Sequence, residues 1–504
     1  MPRTQALSRQ LVCHFALYAL VAPSLSAQSL GEGFDAYVRA AVQEWDATGL
    51  AIAVVKDGEL VFADGYGVRN LETGGPVDEH TRFAIGSTTK AMTAAALGML
   101  VDEGKVAWDD AVTDYLPWFA VDDPYLTHEL TIRDLLTHRA GMGNTDVLWY
   151  ERDTTTREVL GKMARIRPAY SLRSSFIYQN LMYAAAGEVV AGVSGMPWTE
   201  FVRTRIFQPL GMDETVPLLS EASGGINVAD PHDRVEGRTV PIGNASVDPV
   251  AAAGSVWSSV SDMSRWLRFL LAEGVTLSGE RLLADSTVSE LFRPQTLVTP
   301  EAFYPTREVT RPDWITYGLG WFQHDYRGHK VDFHTGSIDG MVAIAGLIRD
   351  LDLGVYVLAN RDHVEVRHAL MYRAFDHFLE GTPRDWSTEF KVLYDGLARA
   401  AAEREERSLA SRIPGTSPTF PPARYVGTYA DPVYGSLTVT ESGGRLRVDW
   451  GPGQVGTMEH WHHDTFRISW EAKWRGSALV TFQQGADGGI ASVTMGRMVL
   501  GRTP

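Results

Sequence analysis

The stretch Phe83–Gly104, FAIGSTTKAMTAAALGMLVDEG, decides how this chain is read. Small and apolar residues fill it almost without interruption, which predicts a buried helix with Gly104 capping its C-terminus. One ammonium group, Lys90, stands three residues after Ser87 near the start of that helix. Residues three apart share a helix face, so the Lys90 amine can reach the Ser87 hydroxyl. An amine surrounded by Ala, Met and Leu loses its water, and desolvation drives its pKa down toward that of a usable base. A serine hydroxyl is a weak nucleophile until such a base takes its proton. A helix start also aims backbone N–H groups and a positive dipole end at any oxyanion that forms there. Read alone, the pair is equally an N-cap serine followed by a lysine that snorkels to solvent.

Working outward, GLAIAVVKDGELVFADGYG (Gly49–Gly67) predicts two strands around a tight KDGE turn. Val106 to Gln295 carries mainly helical patterns and polar loops. KVDFHTG (Lys330–Gly336), MVAIAGLIRD (Met341–Asp350) and LGVYVLAN (Leu353–Asn360) predict three antiparallel strands, and RHALMYRAFDHFLEG (Arg367–Gly381) an amphipathic helix on top of them. Strands at both ends and helices between them predict an α+β domain over residues 28–385. Its expected form is a five-stranded antiparallel sheet flanked by helices, with a helical subdomain inserted. Residues 386–422 hold a further helix and the Pro-rich break IPGTSPTFPP, expected as a linker. Residues 423–504 change texture to short alternating segments between Gly-containing turns, which predicts a C-terminal all-β, barrel-like domain of about seven or eight strands.

The 504 residues are 44% hydrophobic and 21% charged, ordinary for a globular protein. A net charge of −16 argues against nucleic acid or an anionic membrane surface as partner. Arg3, Arg9 and the apolar run Leu11–Ala22 predict a signal peptide over residues 1–27, hence a periplasmic or secreted protein. The single cysteine, Cys13, falls inside that segment, so the mature form is expected to hold no disulfide and no cysteine site. No later run is long and apolar enough for a transmembrane helix. His460 and His462 in MEHWHHD share one face of a predicted strand and could hold zinc, but solvated histidines on a barrel strand are the reading taken, with no metal and no cofactor.

Two further stretches complete the picture. In SSFIYQNLMYAAAGEVVAG (Ser174–Gly192), Tyr178 and Asn180 stand two apart before an apolar helix, so in extended backbone their side chains face one cavity. His334-Thr335-Gly336 ends a predicted strand and offers an edge on which a substrate backbone can pair. Ser87-x-x-Lys90, Tyr178-x-Asn180 and His334-Thr335-Gly336, in that order and spacing, resemble the serine β-lactamase and penicillin-binding-protein superfamily. TIRDLLTHRAGM (Thr131–Met142), GSVWSSVSDMSRWLRFL (Gly254–Leu270) and YGLGWF (Tyr317–Phe322) resemble its class C β-lactamase, DD-peptidase and esterase branch. The C-terminal domain resembles the lipocalin-like appendage of some relatives.

That resemblance implies a serine hydrolase acting on a small-molecule or peptide substrate, with D-amino-acid peptides favoured. Ser87 is the implied nucleophile, and Lys90 and Tyr178 share the proton transfers, with the identity of the base left open. Asn180, His334, Thr335, Gly336 and Ser337 are the implied substrate contacts, and the backbone N–H groups of Ser87 and Ser337 the oxyanion hole. His334 departs from the lysine of many β-lactamases, and no class A type glutamate motif is present; both lower the expectation of antibiotic hydrolysis. Alternatives using the same residues are a carboxylesterase, a class C-like β-lactamase, or a penicillin-binding sensor that does not turn over. A homo-oligomer is compatible with the sequence.

Overall fold

The computed structural model describes residues 30–503, so the expected signal segment lies outside the described residues. Alternation in β1 (Gly49–Lys56) organises the domain. Leu50, Ile52 and Val54 enter one hydrophobic core while Ala51, Ala53 and Val55 enter another, so both faces of the strand are covered. β1 pairs with β2 (Glu59–Gly67) across the predicted turn. The remaining strands are β3 (Thr296–Leu297), β4 (Ile315–Tyr317), β5 (Phe322–Tyr326), β6 (His329–Ile338), β7 (Met341–Ile348) and β8 (Leu353–Ala359). They form one sheet in the order β2-β1-β8-β7-β6-β5-β4-β3. Every neighbouring pair is antiparallel.

The α+β class stands, but the sheet has eight strands where five were expected. The additional three extend it beyond β6. β3 and β4 have two and three residues, too few to show a period. β5 reads FQHDY, and its polar Gln323 and His324 are fully buried, which hides the strand. Their burial is tolerated because each is bonded: Gln323 Nε2 donates to Phe292 O and Asp332 Oδ1, each at 2.7 Å, and His324 Nε2 meets Tyr372 OH at 2.9 Å.

Helices cover both faces of the sheet. α1 (Gly31–Glu44), α6 (Val366–Phe378) and the first turn of α7 (Trp386–Ala410) bury Phe34, Met371, Phe375 and Trp386 with Ile52 and Val357. On the other face lie α2 (Thr89–Asp102), α3 (Asn180–Ser194), α4 (Ala251–Gly254) and α5 (Val260–Leu271). α2 is buried continuously from Thr89 to Leu100, and Gly104 follows its end at φ +68°. The predicted helix starts late, however. Phe83–Ala84 is a two-residue strand paired with Trp257–Ser258, and Gly86–Thr88 forms a 3₁₀ turn before α2.

The C-terminal strands β9 (Gly427–Asp431), β10 (Gly435–Ser442), β11 (Arg445–Asp449), β12 (Val455–His462), β13 (Thr465–Trp470), β14 (Ser477–Gln484), β15 (Ile490–Met495) and β16 (Met498–Arg502) close into a barrel. Closure is made where Tyr429 of β9 pairs with Arg502 of β16. Inward residues such as Tyr429, Val439, Phe466, Ile468 and Val493 form its own core. Closing the sheet removes the free edges that short strands otherwise expose.

Candidate active site

Ser87 sits in the Gly86–Thr88 turn, where the helical layer meets the end of β6. Two glycines allow this approach. A Cβ on Gly336 would stand 1.9 Å from Ile85 O and 3.1 Å from Ser87 N, and one on Gly86 would stand 2.6 Å from Ser337 N. Gly86 also takes φ +52°, which a side chain would strain. The backbone N–H groups of Ser87 and Ser337 are thereby neighbours at the mouth of a cavity of about 380 Å³. The cavity is lined on its polar side by Ser87, Tyr178, Asn180, Thr335 and Ser337. Phe303, Tyr304, Pro305 and Phe322 make an apolar side.

Lys90 lies one helical turn below Ser87 and is fully buried. Its Nζ is 2.9 Å from Ser87 Oγ, 2.7 Å from Asn180 Oδ1 and 2.9 Å from Ala253 O. The carbonyl and carboxamide oxygens can only accept, so they consume two N–H bonds. The third partner is a hydroxyl, which can donate as well as accept. A neutral amine therefore satisfies the same geometry with its lone pair aimed at the Ser87 O–H. Burial pulls the Lys90 pKa down to about 7, against a smaller upward pull from the Asp146 carboxylate.

Tyr178 keeps a partly exposed face toward the cavity, which it lines together with Ser87. Burial of its surroundings holds the phenol well above its ordinary value, the Ser87 contact acting weakly the other way. Its ring lies against the His138 imidazole at 4.2 Å between centroids, and Lys90 Nζ is 4.8 Å from the Tyr178 centroid. Gln179, in extended backbone, caps α3 by accepting from Leu181 N at 3.0 Å. That frees Asn180 to turn into the site, where its Oδ1 holds Lys90 and its Nδ2 donates to Asp146 Oδ1 at 3.0 Å. Expected to meet a substrate amide, Asn180 is committed first to Lys90.

His334 differs more. It is 1% exposed and lies behind Tyr178, absent from the cavity wall. Its Nδ1 sits 2.6 Å from Thr335 O and its Nε2 3.0 Å from Tyr317 OH. A carbonyl can only accept, so Nδ1 carries the proton and Nε2 accepts from the phenol. Burial, with the neighbouring Lys90, lowers its pKa to about 3, so the ring is neutral. The strand that carries it is as predicted; the substrate contact expected of its side chain is not what this placement offers. Thr335 does reach the wall, its Oγ1 bonded to Tyr304 OH at 2.6 Å.

Several contributors had no local signal. Arg367, 3% exposed, donates to Gly336 O at 2.5 Å, to Ser337 Oγ at 3.1 Å and to Ala343 O at 3.0 Å, bracing the strand end from behind. Glu365 neutralises it. Asp146 opens a three-residue 3₁₀ turn and the Phe303–Pro305 segment is irregular, so neither has a period to read. His138 stands in the quoted THRAGM stretch and adopts φ +55°. Its Nδ1 accepts from Gln179 N at 3.0 Å, and burial keeps the ring neutral. Among the described residues no group of three or more His, Cys, Asp or Glu is placed to hold a metal ion, and His460 bonds instead to His463 O at 2.9 Å.

An antiparallel sheet backed by helices, with a hydroxyl and a buried amine at their junction, defines a hydrolase of the serine type. The Beta-lactamase family model matches residues 34–377, and the chain belongs to that family. Residues 411–500 match a domain of unknown function, DUF3471. The chain is 29% identical over 450 residues to unguisins hydrolase ungD of Aspergillus violaceofuscus, covering 82% of this chain and 77% of that protein. It resembles the solved octameric penicillin-binding protein homologue from Pyrococcus abyssi, with a TM-score of 0.61, 22% identity, and coverage of 93% of this chain and 99% of that one. A D-stereospecific amidohydrolase from Streptomyces sp. aligns with a TM-score of 0.53 and 24% identity, over 65% of this chain and 94% of its own.

Proposed function

We propose that this hydrolase cleaves amide bonds of peptide-like substrates, D-amino-acid-containing peptides among them, through an acyl-enzyme on Ser87. The observation that carries the reading is the fully buried Lys90 amine, 2.9 Å from Ser87 Oγ, with its pKa lowered to about 7. At neutral pH much of it is uncharged and its lone pair takes the Ser87 proton as Oγ attacks the carbonyl carbon. The carbonyl π pair moves onto oxygen, where the N–H groups of Ser87 and Ser337 receive it. Collapse breaks the C–N bond, and the amine leaves with a proton passed from Lys90 through the Tyr178 hydroxyl. Water then attacks the ester, gives its proton to the same pair, and releases the acid and Ser87. Tyr178, held well above its ordinary pKa, stays protonated, which supports Lys90 as the base and Tyr178 as the relay.

The cavity supports an apolar, uncharged group beside the scissile bond. Its one side is Phe303, Tyr304, Pro305 and Phe322, and neither Lys nor Arg lines it. A neutral His334 supplies no cation to a lactam carboxylate, which favours peptide amides. The likeness to a hydrolase named for unguisins agrees with this. Export to the periplasm or medium belongs to the same proposal and rests on Arg3, Arg9 and Leu11–Ala22; mature protein beginning after Ser26 or Ala27 by N-terminal sequencing is the expected result.

A panel of D- and L-aminoacyl p-nitroanilides, nitrophenyl esters and benzylpenicillin, assayed with wild type and Ser87→Ala, tests the function. Turnover of apolar D-aminoacyl amides above the lactam, lost in Ser87→Ala, is expected. Rapid lactam turnover with inert amides would replace the reading with a β-lactamase, and a lasting penicilloyl adduct without turnover would replace it with a sensor.

A further inference from the structure

Among its contacts with the hydrolase domain, the barrel touches two segments that lead into the candidate site. Arg475, on the turn between β13 and β14, has a side chain only 11% exposed and pairs with the carboxylates of Glu151 and Asp339. Its Nη2 is also 3.4 Å from Tyr150 OH, and that hydroxyl donates to the Asp339 carboxylate. Asp339 occupies the tip of the β6–β7 hairpin, two residues past Ser337. Tyr150 and Glu151 continue the segment that carries Asp146, which accepts from the Asn180 amide beside Lys90. Arg152 strengthens the seam: its guanidinium lies 4.0 Å over the Trp450 ring and donates to Trp450 O. One barrel side chain is therefore bonded to both segments that lead to the site.

We propose that Arg475 is a positioning residue, holding the Ser337 strand end and the Asp146 segment in register with Ser87 and Lys90, so that the barrel is a working part of the hydrolytic site. The inference rests on the Ser87 acyl-enzyme reading. Removing the guanidinium leaves the Glu151 and Asp339 carboxylates facing each other in a seam where their side chains are 15% and 19% exposed. Burial and the Asp339 charge already push the Glu151 carboxyl up, with Arg475 opposing them. Repulsion then parts the hairpin tip from the 146–152 segment, and each movement reaches the site along a different route, one through Ser337 and one through Asn180. Misplacing a reacting or stabilising group by about 1 Å costs on the order of a hundredfold in rate.

The test uses full-length wild type, Arg475→Ala and Arg475→Lys, with p-nitrophenyl acetate as the acylating probe. Stopped-flow release of nitrophenol gives the acylation rate at saturation and the half-saturation concentration, peptide mass mapping locates the acetyl group, and thermal melts report folding. Arg475→Ala is expected to acylate Ser87 about ten- to a hundredfold more slowly with little change in half-saturation. Arg475→Lys, which keeps a cation between the two acids, is expected to recover most of the rate. Wild-type acylation by a folded Arg475→Ala overturns the inference and leaves the Ser87 reading intact. Equal losses in both variants that track melting also overturn it, since the contact then serves stability alone. If wild type itself gains no acetyl on Ser87, the acyl-enzyme reading falls and this inference falls with it.

Discussion

Lys90 in the hydrolase domain and Tyr429 in the barrel are both fully buried, and both keep their polar atoms bonded. Tyr429 donates to Tyr425 O at 2.8 Å, an acceptor inside the barrel core that offers no proton in return. Lys90 shares its amine among two obligate acceptors and one hydroxyl that borders open space. The same physics of burial thus stabilises one domain and tunes chemistry in the other. What separates the two is the partner: burial becomes functional when one partner can exchange a proton and a substrate can reach it.

The largest way to break the contrast is Lys90→Met. Acylation of Ser87 is expected to fall by roughly 10³-fold or more, read by burst kinetics with an activated ester. The same change is expected to stabilise the fold in acid. Lys90 titrates at about 7 in the native protein against 10.5 ordinarily, so between those values the unfolded chain binds more protons and wild-type stability rises with pH. The variant lacks that dependence. Its advantage, on the order of 5 kcal/mol, is full below about pH 7 and shrinks toward pH 10 in denaturant titrations. Equal stability of the two proteins at pH 6 would contradict the buried-amine account.

Gly336→Ala sharpens the comparison at the backbone. The new methyl meets Ile85 O at 1.9 Å, so the strand end must move away from the Ser87 turn. A loss of about a hundredfold in acylation is expected. Gly501→Ala, on barrel strand β16 where an added Cβ would lie 3.9 Å from Ala430 O in ordinary contact, is the matched control and should leave acylation unchanged. Smallest in activity is Tyr429→Phe, which strips the donor from Tyr425 O. It should cost about 1–2 kcal/mol of barrel stability by denaturant melting, with acylation unchanged.

The same contrast shows why parts of the molecule are legible in the sequence alone. Ser87 and Lys90 are three residues apart in one helical stretch, so local spacing already joins them, and β1, β2 and β6–β8 carry apolar runs or alternation that survive as strands. β5 hid because its buried polar residues are satisfied by partners far along the chain. His334 was correctly placed on its strand but not in its environment, since its burial depends on Tyr317 and on packing behind Tyr178. Arg367, Asp146 and Arg475 act through partners at long sequence separation, such as Gly336, Asn180 and Asp339. Nothing in their neighbours along the chain marks such partners.

The most direct test of the central claim is the pH dependence of Ser87 acylation by an uncharged nitrophenyl ester, measured at saturation from pH 5.5 to 9.5 with intact-mass confirmation of the adduct. If buried Lys90 is the base, the rate rises with pH through a single midpoint near 7, as the amine loses its proton. A flat profile, or a midpoint near the ordinary lysine value of about 10, would contradict it.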